Sequence, residues 1–254
     1  MKRTDFKAGI KICFIFAFLW FSSWQVHAKE VYTVGVENVD FYPLYSFDQK
    51  TQHQGFGYEV LELFATQQRY QFIYKAYPPK RLLKYFLDKD IDFRFPDNPR
   101  WKKTKREEYT IHYSRPAIFP ITSIVVNASN KDMTLENFKI IGTPRGFTPW
   151  MFARQIASGQ ITHVESQSND SIIKMVLAGR VDGALMELNR MHYYLNKQGI
   201  PHALVPAENI FKPMKGEFRL SSIKYPGIIE KFDLFLEAQK EHIEKLRIKY
   251  KISP

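Results

Sequence analysis

The chain has a single cysteine among its 254 residues, Cys13. Residues 29–254 have none, so a fold built there cannot rest on disulfides and its buried core must hold it together. Beyond the first 24 residues no apolar run approaches the ~20 residues that a spanning helix needs. Metal-ligand spacing is also missing. His53, His112, His163, His192, His202 and His242 are scattered singly, whereas a metal site needs clustered ligands. No Ser-His-Asp or Cys-His order suggests a nucleophilic triad, and no cofactor is implied. The net charge is +11, but it is not laid out as a basic stripe. Lys102, Lys103, Lys105 and Arg106 run into Glu107 and Glu108, and the cations between Lys240 and Lys251 alternate with Glu241 and Glu244. Nucleic-acid surfaces pair a continuous basic face with aromatics, so no nucleic-acid partner is expected. A small anionic ligand is the better reason for the basic balance.

The amino terminus predicts export. Lys2, Arg3, Lys7 and Lys11 precede an apolar run over residues 12–24, and Val26-His27-Ala28 places small residues three and one before a cut. That is the order of a secretory signal peptide, with cleavage after Ala28. Cys13 lies early in the apolar run without a lipobox. The expected location is the periplasm, and residues 29–254 suffice for one large domain or two lobes.

Alternation and punctuation organise the remainder. Residues 31–36, Val-Tyr-Thr-Val-Gly-Val, predict a strand. Phe41-Tyr-Pro-Leu-Tyr45 reads as a Pro-broken aromatic loop, and Gly55-Phe-Gly57 leads into a helix over 58–68 with Val60, Leu61 and Phe64 at helical spacing. A strand over 70–77, a helix over 80–87 opened by Pro78-Pro79, and a strand over 90–95 complete a β-α-β-α-β unit. The pattern returns with strands at 139–141, 163–166 and 180–186 and helices at 149–157 and 172–177. Residues 82–92 and 172–182 echo each other: an apolar helix, a polar turn, then a hydrophobic residue and an Asp heading a buried strand. Between the halves, residues 113–126 form a long extended segment with two prolines, read as a crossover. Residues 203–206 through 218–222 supply the return, and helices over 226–250 pack back.

These pieces in this order resemble the family 3 extracellular solute-binding proteins, the amino-acid-type periplasmic binding proteins. The resemblance is carried by Gly35-Val36, Phe41-Tyr-Pro-Leu44, Gly55-Phe-Gly-Tyr-Glu59, Asp90-Ile-Asp92, Tyr113-Ser-Arg-Pro116, Ile141-Gly-Thr-Pro-Arg-Gly-Phe-Thr148 and Gly179-Arg-Val-Asp-Gly-Ala-Leu-Met-Glu187. It implies an α/β fold, a two-lobed type II clamshell in which each lobe is a mixed sheet flanked by helices, joined by two crossover segments. Lobe I would take 29–120 plus 216–254, and lobe II 121–215. The implied role is that of a monomer capturing a small polar ligand, carboxylate- or amine-bearing, for a membrane permease of the ABC type. Alternatives on the same scaffold are a dehydratase-like enzyme and a free ligand sensor for a membrane receptor.

The expected site needs an apolar surface, donors for an anion and an acceptor for a cation. Phe41 and Tyr42 are the candidates to pack on a ligand. Thr148, before Pro149, is expected to cap a helix whose free N–H groups would hold a carboxylate. Glu187, at a strand end, would take an amino group. Where the family carries a Ser-rich turn and Thr-x-x-Arg, this chain reads Pro96-Asp-Asn-Pro-Arg-Trp-Lys-Lys-Thr-Lys-Arg106. Asp97 and Asn98 replace the turn, Arg100 and Arg106 both remain open as anion holders, and Arg81 is a further candidate. Asp92 and Asp182, at strand heads, are expected to be structural.

Overall fold

The computed structural model describes residues 29–47 and 52–253. The expected signal peptide lies outside the described residues. Chain order opens with strands β1 (Glu30–Glu37), β2 (Asp40–Phe41) and β3 (Tyr45–Ser46), helix α1 (Phe56–Gln68), β4 (Tyr70–Tyr77), α2 (Pro79–Leu87), β5 (Phe93–Asp97) and β6 (His112–Tyr113). The second half holds β7 (Ile121–Asn127), β8 (Ile140–Pro144), α3 (Ala153–Ala157), β9 (Thr162–Ser166), α4 (Asn169–Leu177), β10 (Gly183–Glu187), α5 (Leu188–Lys197), β11 (Leu204–Pro206) and β12 (Met214–Lys215). The chain then returns through β13 (Arg219–Ser222), α6 (Pro226–Ala238) and α7 (Lys240–Lys249).

Two mixed sheets result. The first runs β4-β1-β5-β13-β6, and the second runs β11-β7-β10-β8-β9 with β12 also paired to β7. In the first, β1 lies parallel to β4 in a register from Glu30–Tyr70 to Glu37–Tyr77, and parallel to β5 at Val34–Phe93 and Val36–Phe95. Parallel neighbours require crossover helices, and such strands are covered on both faces. That is why Val34, Val36, Phe93 and Phe95 are all buried. On the α1 side, Phe64 packs edge-on against Phe232 at 4.9 Å between ring centres, joining α1 to α6. On the other side Leu82 and Phe86 of α2 close over Ile91.

The echo between halves has a physical basis. Asp92 accepts from the Thr33 amide (2.7 Å) and hydroxyl (2.8 Å), while Asp182 accepts from the amides of Lys139 and Ile140, both at 2.7 Å. Asp92 pins the middle of β1 and Asp182 the start of β8, each holding a neighbouring parallel strand, the structural role expected of both.

The crossover is shorter than the sequence suggests. Residues 121–126 belong to β7, which pairs antiparallel with β10 and β11, and Leu204–Pro206 is an edge strand rather than part of the return. The linking backbone is confined to residues around Ile118 and Phe218, which bridge each other antiparallel. Phe218 donates to the Ile118 carbonyl at 2.9 Å, Ala117 donates to the Phe218 carbonyl at 2.8 Å, and Gly216 donates to the Pro120 carbonyl at 2.8 Å. The two crossings therefore form a single paired ribbon.

Candidate functional site

The halves meet along a seam whose first wall is the loop between β1 and α1. Gly55 fixes that loop. Its φ is +104°, and a Cβ there would lie 2.7 Å from the Tyr45 Cα, so only glycine fits. The start of α1 is thereby held against the loop, with Phe56 donating to the Pro43 carbonyl and Gly57 to the Leu44 carbonyl. This presents Phe41 and Tyr42 to the second half. Phe41 is buried, stacks on Tyr45 at 5.4 Å, and lies parallel to Phe147 of the second half at 6.5 Å. Tyr42 meets Tyr193 of α5 at 4.5 Å and Tyr250, just past α7, at 5.9 Å.

Arg190, in the first turn of α5, ties the seam. It is 4% exposed. Its Nη1 donates to the Asp40 carboxylate at 3.3 Å and to the Tyr42 carbonyl at 3.2 Å, and its Nη2 pairs with Asp170 at the start of α4. The carboxy-terminal tail adds another tie, the Ser253 amide donating to the Asn189 side chain at 2.8 Å.

Glu187 is buried and caps α5. It accepts from the Arg190 amide (2.8 Å), the Asn189 side chain (2.7 Å) and the Ile121 amide (3.3 Å). Burial pushes its carboxyl above the usual range, against the pull of these donors. Glu187 thus joins β10, α5 and the entry to β7.

Beneath the first wall lies a buried charge cluster. Asp97 is fully buried at the end of β5 and grips Arg106 through two bonds, 2.9 and 2.8 Å, while Ser221 donates to it at 2.7 Å. Arg106 also donates to the Tyr113 hydroxyl at 2.8 Å. Glu37, at the end of β1, accepts from the Tyr45 hydroxyl at 3.1 Å. Burial raises the Glu37 carboxyl, with Arg94 opposing it. Burial, then Glu37, raises the Tyr45 phenol, and Glu187 acts on it from the second half.

The structure thus brings Phe41, Tyr42 and Glu187 to the seam and Asp97 beneath it, while Arg81 and Arg100 are exposed. Of the two arginines open as anion holders, Arg106 is committed to Asp97. The capping expectation for Thr148 is corrected. Thr148 is exposed, Pro149 takes the cap position of a three-residue 3-10 turn, Trp150–Phe152, and α3 begins only afterwards. Pro149 has φ −77° and ψ 70°, outside the helical region, so the helix cannot start where Thr148 would cap it. The buried threonine of this region is Thr143, 2.7 Å from His163 Nε2. Sequence reasoning missed Arg190 and Arg94. The signal for Arg94 was a cation between Phe93 and Phe95 in a strand otherwise fit for burial. Among the described residues, no group of three or more His, Cys, Asp or Glu could hold a metal ion, and no helix is long and apolar enough to cross a membrane.

Two α/β halves, a paired double crossing and a polar seam decide the architecture. The fold is that of the periplasmic binding proteins. An ancestral arginine-binding protein bound to arginine superposes with a TM-score of 0.68 at 18% identity, covering 88% of this chain and 99% of that one. An arginine third transport system periplasmic binding protein from Legionella pneumophila gives 0.67 at 15%, covering 87% and 100%. An ancestral amino acid-binding protein described as a precursor of cyclohexadienyl dehydratase gives 0.67 at 17%, covering 87% and 94%. At these identities the likeness is one of fold. No family model matches the sequence, and no curated protein does.

Proposed function

We propose that this chain is a solute-binding protein that encloses a small polar ligand between lobe I, residues 29–120 and 216–254, and lobe II, residues 121–215. The observation that carries this reading is the seam. Arg190 is buried across it against Asp40 and Tyr42, and Phe41 faces Phe147 over it. Contacts that exist only when the halves are together give closure a free energy, and a ligand between them biases the same equilibrium. The solved proteins of similar fold, named for arginine and amino-acid binding, support the same class of ligand. The closed form would be read by an ABC-type permease, and the amino-terminal leader would deliver the protein to the periplasm.

The test is a thermal-shift screen of purified residues 29–254 against amino acids, polyamines and small carboxylates. A true ligand raises Tm with concentration, because only the folded state binds it. A chain that shifts with none of them is not this kind of receptor.

A catalytic reading has one observation in its favour, the likeness to a dehydratase precursor. It requires that a hit be consumed over hours at catalytic protein concentration. A hit recovered intact leaves binding as the activity.

A further inference from the structure

The segment that follows α7 is tied into both halves of the molecule. Its anchors in lobe I are several. Lys249 donates to both oxygens of Glu59, in the first turn of α1, at 2.7 and 3.0 Å. The Tyr250 hydroxyl donates to the same carboxylate, and the Gly55 amide reaches that hydroxyl from the turn before α1. Ile252 is buried in the same apolar cluster as Phe41, Phe56 and Phe232. Each of these contacts holds the tail to the wall that carries Phe41 and Tyr42.

Between Tyr250 and Ile252 the backbone turns sharply. Lys251 has φ +54°, a left-handed conformation that lysine adopts only where its surroundings impose it. The Lys251 amide donates to the Ile248 carbonyl at 2.9 Å and the Ile252 amide to the Arg247 carbonyl at 3.1 Å, and the Arg247 guanidinium donates to the Ile252 carbonyl. Such a turn ends many helices. Here it also aims the next amide, that of Ser253, out of lobe I and onto the Asn189 side-chain oxygen of α5, at 2.8 Å.

Asn189 is no solvated surface group. It is buried, and its side-chain nitrogen donates to Glu187 at 2.7 Å. The tail therefore ends in the knot that caps α5. The rings follow the same path, Tyr42 lying between Tyr250 at 5.9 Å and Tyr193 of α5 at 4.5 Å. Residues 118 and 218 join the halves through the chain itself. The tail is a link of another kind, noncovalent and free to part. If the lobes separate, Lys249, Tyr250 and Ile252 keep the tail on lobe I, and the Ser253 amide leaves Asn189.

We propose that residues 250–253 are a releasable clasp that holds the two lobes together and sets how often the cleft opens without ligand. This deepens the solute-binding reading, because the clasp acts on the closing equilibrium of that reading. One buried amide bond of this kind corresponds to about a fivefold change in that equilibrium. A ligand that needs the closed form gains affinity in proportion to the closed population.

The test measures distances between spin labels on cysteines introduced at exposed Lys75 and Lys174, one in each lobe, without ligand. Wild type is compared with a chain ending at Lys251, with S253P and with N189A. S253P removes the amide hydrogen, which proline lacks, and keeps Ile252. The truncated chain and S253P should each raise the ratio of long to short distances by about fivefold. N189A should do the same in the wild type and add little in S253P, since both changes remove one bond. An S253P distribution superimposed on that of wild type would overturn the clasp. So would a truncated chain that melts lower with its distances unchanged, because Ile252 would then only complete the lobe I core. An N189A effect as large in S253P as in the wild type would overturn the shared bond. Should the truncated chain not fold, S253P decides. Unchanged distances together with ligands that raise Tm overturn the clasp and leave solute binding intact; opening in S253P with no ligand found supports the clasp and overturns solute binding.

Discussion

Removing Asp40 tests whether the seam has a latch of measurable strength. In D40A, Arg190 keeps Asp170 and the Tyr42 carbonyl and loses only the 3.3 Å contact to Asp40. The Asp40 side chain is 44% exposed, against 4% for Arg190. Solvent screening therefore cuts the pair to about 1 kcal/mol or less, the upper end for an ion pair open on one side. That is about a fivefold change in the ratio of closed to open molecules, because about 1.4 kcal/mol is tenfold. Residues 29–254 lack cysteine, so dyes can be placed on cysteines introduced at exposed Lys75 and Lys174, one in each half. Single-molecule energy transfer should show the open population growing by about fivefold in D40A at low salt. In 1 M salt the two proteins should converge, because screening there acts within about 3 Å. Distributions that superimpose at low salt would refute the latch.

The buried cap gives a second outcome. E187A strips the acceptor from the Arg190 and Ile121 amides and the Asn189 side chain, and should cost about 1–3 kcal/mol in urea unfolding; wild-type stability would remove Glu187 from that role. The Glu37 carboxyl titrates above its ordinary range because burial raises it. The folded state then holds its proton more tightly than the unfolded chain, so the stability it contributes is present at low pH and declines as pH rises through its folded value. E37Q should therefore flatten the fall in Tm as the pH rises above the ordinary carboxylate range, and a slope equal to wild type would refute this. A Cβ at Gly183 would lie 2.7 Å from the Val125 carbonyl oxygen of the paired strand, so G183A should lose about 1–3 kcal/mol, checked by the denaturation midpoint. Asp92 is partly buried, which works to raise its carboxyl, but the Thr33 amide, Lys224 and the Thr33 hydroxyl together lower it. Its contribution is present above the ordinary carboxylate range and disappears as pH falls through the lowered value. D92N should be less stable at pH 7, with the gap narrowing as the pH falls below the ordinary carboxylate range; a gap that stays constant in acid would show a cause other than charge.

Much of the architecture was legible because it follows from short-range rules. The alternation in residues 31–36, the Pro78-Pro79 start of α2 and the Asp92–Asp182 echo are local patterns with local causes, and each appears where expected. Site chemistry was harder to read because it depends on what the chain brings together from afar. Thr148 looked like a cap because Thr-Pro precedes many helices, but the backbone at Pro149 leaves the helical region first. Asp97 and Arg106 were visible as charges, not as each other's partners, since nothing in their spacing states that Ser221, over a hundred residues on, completes the set. Arg190 drew no attention inside an ordinary amphipathic helix, and its importance depends on Asp40, 150 residues earlier.

The pairing of the two linkers at Ile118 and Phe218 has a mechanical consequence. Two separate tethers would let the halves twist, slide and bend independently. Laced together by backbone bonds, they behave as one flat strap, easy to flex across its thin direction and stiff against shear in its plane. On the solute-binding reading, opening and closing would follow a single swing that returns the aromatic faces of Phe41 and Phe147 to the same opposition.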